Sequence, residues 1–143
     1  MSHATTLTLP ETFLQTLKRV AQAEQKPVEQ VMVTALQVSL PPLDDLPVHL
    51  AENLAVLETF DEAALRTVML EIVPAAQAEA IHELLERQQT EALTEAEQTE
   101  LDRLQEEADL VMLRKGRAAV LLRFRGKAVP SLAELRQLQG AVT

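Results

Sequence analysis

The sequence predicts a mostly α-helical protein: one short strand and two helices at the start, then a larger helical region containing a long helical hairpin. Three observations lead there. Apolar side chains recur at spacings of three and four through most of the chain, the period of one helical face. Three separate stretches fit the Ser/Thr-x-x-Glu capping box that opens helices. The apolar content rests on Leu, Ala and Val, with three Phe and no Trp or Tyr, and that composition favours helix packing over a sheet sandwich. At 143 residues the chain can bury one modest core, or two small ones if part of it associates.

Residues 5–9 read as a strand in which Leu7 and Leu9 face one way and Ala4, Thr6 and Thr8 the other. Pro10 suits the first turn of a helix carrying Phe13, Leu14, Leu17, Val20 and Ala21. A break follows at Gln25, Lys26 and Pro27. The next helix places Val28, Val31, Met32, Ala35, Leu36 and Leu40 on one side. Three prolines within "LPPLDDLP", residues 40–47, then bar a continuous helix, because each disfavours helix in the residue before it. The chain therefore divides into residues 1–40, a stiff linker at 41–47, and a helical region at 48–143.

Within that region, 48–58 forms a short helix with Val48, Leu50, Leu54 and Leu57 on its apolar face. "TFDE", residues 59–62, reads as a capping box on Thr59 and Glu62 opening a helix to about Val73, and Pro74 begins another with Ile81, Leu84 and Leu85. "TEAE" at 94–97 opens the longest helix, whose Leu101, Leu104, Ala108, Val111 and Leu122 keep the spacing of an antiparallel hairpin or coiled coil. Gly116 is the position at which it kinks or ends. Residues 118–125 admit a strand as the rival to helix, and helix is the reading adopted because no partner strand lies near. "SLAE" at 131–134 starts a last helix with Leu132, Leu135 and Leu138.

A strand needs a hydrogen-bonded partner, and a strand followed only by helices must borrow one from a second copy. "LTLP", the helix beginning at the proline, a first helix of about fifteen residues, a tight turn and a second of about a dozen together make residues 4–40 resemble the ribbon-helix-helix DNA-binding proteins of the MetJ, Arc and CopG type. The resemblance implies a homodimer paired through residues 5–9, with Leu7, Leu9, Leu17, Val31 and Leu36 in the dimer core. It also implies operator DNA, met by Thr6 and Thr8 in the major groove and by Lys26 and the amide of Val28 at phosphate. A threonine offers one hydroxyl and a methyl, so sequence discrimination is expected to be modest. The acidic helical extension looks like that of type II antitoxins, which implies a toxin or nuclease as protein partner. The alternative is a helical adaptor or assembly subunit whose first segment only dimerises the chain.

Charge is unevenly distributed behind the net −9. Residues 44–113 carry 18 acidic and three basic side chains, whereas 114–143 carry seven basic and one acidic. Either middle and tail neutralise each other across a helical surface, or each meets a partner of opposite sign. For Arg114, Lys115, Arg117, Arg123, Arg125 and Lys127, placement beside an acidic helix is preferred over phosphate contact. Cysteine is absent, which excludes thiolate metal sites and thiol nucleophiles. "HELLE" from His82 lacks the second His of a zinc protease motif, and three glycines leave no phosphate-cradling loop. No enzyme and no cofactor are expected, and with no apolar run near membrane length the expected location is cytoplasmic.

Overall fold

In the computed structural model, which describes residues 2–142, the chain divides into two compact units, 1–42 and 43–143. The first contains α1, Glu11–Glu24, packed against α2, Val28–Ser39. Pro10 and Pro27 stand at the two N-caps with φ of −56° and −59°, the value their rings impose. Their carbonyls accept the first helical bonds, from the Leu14 and Val31 amides. Between the helices Gln25 turns left-handed at φ 56°, so that its own N–H reaches the Gln22 carbonyl and that of Lys26 reaches Ala21. This is the double closure of a Schellman motif, built here without glycine. Leu40 leaves the helical region because Pro41 follows it.

The expected strand is not there. Residues 2–10 are neither helix nor strand, and the described residues contain no strand at all, so the ribbon element of the sequence-based fold is corrected to an all-helical architecture. The physical reason is the missing ladder. Residues 118–125, the remaining strand candidate, are helical through Phe124, and five residues without cross-strand bonds gain nothing to offset the entropy of holding them extended.

The second unit contains α3, Val48–Ala55, a 3-10 turn at Val56–Thr59, α4, Glu62–Met69, α5, Ala75–Thr90, α6, Glu95–Phe124, and α7, Leu132–Val142. The 30-residue α6 is its spine: α4 packs on it most extensively, and α3, the 3-10 turn and α5 also lie against it. Its buried Leu101, Leu104, Ala118, Leu121 and Leu122 meet Leu54, Leu57, Leu65, Val68 and Met69 in one core. Residues 91–94 fold α5 back along the start of α6, where Arg87 pairs with Glu97. The expected hairpin thus forms, although no side chain of α5 is fully buried.

Caps account for the boundaries. Thr94 and Glu97 make both bonds of a capping box, Glu97 N–H to Thr94 Oγ1 at 3.2 Å and Thr94 N–H to Glu97 Oε1 at 3.1 Å. Ser131 and Glu134 repeat the box at α7. The box expected on Thr59 does not form: Asp61 caps α4 by accepting from the Ala64 amide at 2.8 Å, while Thr59 donates backward to the Val56 carbonyl. α4 also ends at Met69 rather than near Val73, since Leu70 and Glu71 close the helix with three-residue bonds and Pro74 keeps Val73 out of it. Gly116 does not end α6, and the turn after that helix falls instead at Gly126, whose φ of 77° suits glycine.

Candidate functional site

Helical spacing brings Phe13 and Leu17 of α1 one turn apart, and Met32 and Leu36 of α2 likewise. Packing α1 against α2 sets these rows side by side. With Leu7, Leu9 and Ala35 they line an apolar groove of about 100 Å³. Across residues 2–42 only Leu17 and Ala21 are buried, so the groove is a surface rather than a core.

Of the residues expected in a dimer core, Leu7, Leu9, Leu17 and Leu36 come together in this groove. Val31 is half-buried and does not line it. Phe13, Met32 and Ala35 are groove residues that the sequence marked only as helix-face positions; their four-residue spacing relative to Leu17, Leu36 and Val31 was the available signal. The residues expected at DNA are dispersed: Thr6 and Thr8 are exposed in the irregular start, Lys26 is exposed in the inter-helix turn, and Val28 is the half-buried first residue of α2. No side chain caps the α2 N-terminus.

Within the second unit Arg114, Arg117 and Lys127 of the basic stretch pair with carboxylates of the acidic one. Arg114 binds Glu71 with two bonds, at 2.9 and 3.1 Å, and the carboxylate beside it holds the guanidinium pKa above its usual value. The buried Arg117 reaches Glu58 at 3.3 Å, and Lys127 reaches Glu62 at 3.5 Å. Arg125 donates to the carbonyls of Phe60 and Glu58, and Arg66 to that of Ala128, which ties the segment just after α6 to the 3-10 turn and to α4. Four of these five basic side chains, Arg114, Arg117, Arg125 and Lys127, belong to the basic stretch and serve as structural ties.

A second groove, about 450 Å³, opens between the start of α3 and the middle of α6. Leu50, Leu110 and Leu113 form its apolar floor, and Glu106, Glu107, Asp109 and Arg103 its rim. Nothing in the sequence marked it. Arg103, the three acidic residues, Leu110 and Leu113 lie together on α6, and Leu50, some fifty residues earlier, joins them only once α3 docks on α6.

The described residues contain no group of three or more His, Asp or Glu side chains that could hold a metal, and His82 simply pairs with Glu86 at 3.0 Å on an exposed face. No described helix is long and apolar enough to cross a membrane. Comparison of the chain with protein-family models, with curated proteins and with solved structures finds no match.

Proposed function

We propose that the protein is a self-associating, non-enzymatic regulatory adaptor in which the N-terminal helix pair joins two copies and the acidic helical region receives a second protein. The observation that supports this reading above others is the open N-terminal groove, where Leu7, Phe13 and Leu36 remain 64, 51 and 59% exposed. A unit of this size rarely closes a core alone, and oligomerisation is the common remedy. A second copy brings the same apolar surface, and a twofold arrangement covers both grooves at once. Covering each half-exposed side chain contributes roughly 1 kcal/mol, set against the cost of losing free motion.

Light scattering and sedimentation test this directly. The intact chain is expected to be dimeric at micromolar concentration, and Leu36→Glu or Phe13→Glu to give monomers whose α3–α6 core stays folded. A monomer at tens of micromolar, or a dimer indifferent to both substitutions, sinks the proposal.

A repressor- or antitoxin-like version adds operator DNA to the same dimer. It is favoured by Lys18 and Lys26, which are exposed and make no ion pair among the described residues. They belong to a unit of balanced charge in a chain that is otherwise acidic. A gel shift with the DNA upstream of its own gene separates the versions. A salt-sensitive complex weakened by Thr6→Ala, Thr8→Ala and Lys26→Ala supports DNA binding, and no complex at low micromolar protein leaves the adaptor alone.

A further inference from the structure

We propose that the groove between α3 and α6 is the docking site for a basic amphipathic segment of a partner protein, one that inserts apolar side chains between cationic ones. This rests on the partner-binding half of the proposed function and gives it a location and a chemistry.

Three features of the groove select that occupant. The floor of Leu50, Leu110 and Leu113 is apolar and in contact with solvent, since Leu113 is exposed and the other two are half-buried. Bringing it under cover rewards a leucine-like side chain. The rim has one sign of available charge: Arg103 is already held by Glu100 at 2.6 Å and Glu107 at 2.8 Å, with its pKa raised by Glu100. Glu106 and Asp109 make no ion pair or side-chain hydrogen bond among the described residues. Two free carboxylates one turn apart on α6, beside its leucines, match an amphipathic helix that carries lysine or arginine next to its apolar face.

Complementarity of sign excludes the competing occupants. An acidic helix meets Glu106 and Asp109 as like charges, and a nucleic acid meets the same repulsion. A purely cationic, apolar-free segment satisfies the rim and leaves the leucines wet. The occupant therefore needs both properties together.

The test uses the full chain, isotopically labelled, and three synthetic helical peptides: Leu/Lys amphipathic, Leu/Glu amphipathic, and a Lys/Gln peptide of equal positive charge. Amide chemical-shift titration at about 0.1 M salt is expected to show the Leu/Lys peptide binding, with the largest shifts around Leu50 and residues 106–113. The Leu/Glu peptide should not bind, and the Lys/Gln peptide should bind at least tenfold more weakly. Glu106→Lys with Asp109→Lys should weaken the Leu/Lys peptide at least tenfold, whereas Glu79→Lys with Glu83→Lys on α5, an equal change of net charge, should alter it less than twofold. Leu113→Asp should also weaken it at least fivefold.

Equal weakening by the two charge pairs, equal binding of the Lys/Gln peptide, or no titration at all overturns the site. Shifts confined to another face of α5 or α6 overturn the groove while sustaining a partner-binding region. Dimer mass, read by light scattering on the same samples, reports separately on the N-terminal half of the proposed function.

Discussion

Asp61 and Thr59 show how finely a helix start is decided. Both residue types make good N-caps, and both stand before an apolar run, so the sequence offers two registers for one helix. Thr59 loses because the 3-10 turn at Val56–Thr59 draws its hydroxyl back to Val56, and that turn exists because Leu57 is fully buried. Tertiary packing thus picks the cap, which is why the local pattern misjudged it. Where no such pull operates, at Thr94 and Ser131, the pattern read correctly. Asp61→Ala is accordingly expected to cost about 1 kcal/mol by leaving the Ala64 amide without its acceptor, and Thr59→Ala no more than about 0.5 kcal/mol, as for an exposed position outside a cap. Urea denaturation of the two variants checks this, and equal costs would show that Thr59 shares the capping role.

Among the elements, α6 was the most legible, because its apolar spacing persists for eight turns and no proline interrupts it. Its electrostatic partners were not. Composition shows an acidic middle and a basic tail, but only the docking of α4 and the 3-10 turn on α6 decides that Arg114 meets Glu71 and Arg117 meets Glu58. Three other carboxylates of this unit sit below the ordinary range. Glu62 is lowered chiefly by its bond from Arg66, Glu97 by the Thr94 backbone N–H, and Glu100 by Arg103. A carboxyl whose folded pKa lies below its unfolded value of about 4.3 contributes stability that is fully present above that value and lost as pH falls through the lower one. Thermal stability of the second unit should therefore hold from pH 7 to about pH 5 and decline below about pH 4. The decline should be shallower in Glu62→Gln, and a pH profile unchanged by that substitution would remove the ion pair from the account. The Glu100–Arg103 pair is exposed and the Glu62–Arg66 pair half-buried, so 0.5 M salt should flatten part of the same decline.

At the scale of the whole molecule, the two units have unequal means of holding together. Among the described residues ten apolar side chains are buried in the second unit, against Leu17 and Ala21 in the first. The sequence showed where helices lie in both, down to the proline-initiated starts of α1 and α2. It misjudged residues 5–9 as a strand, because hydrogen-bond pairing of a strand is a property of two segments and leaves no mark in one. The inequality has a thermodynamic consequence. If the N-terminal helix pair is stabilised by a second copy, its unfolding is coupled to dissociation, and its midpoint must follow protein concentration, while the second unit's midpoint must not. Tenfold dilution lowers the stability of a dimer by about 1.4 kcal/mol, which for two copies of a helix pair this size corresponds to roughly 5–10 °C. Calorimetry at 10 and 100 µM is expected to show a lower transition that moves by that amount and an upper one that stays fixed. Leu36→Glu should abolish the lower transition at both concentrations and leave the upper one in place. A single transition, or two that are both indifferent to dilution, would mean that no second copy stabilises the N-terminal helix pair.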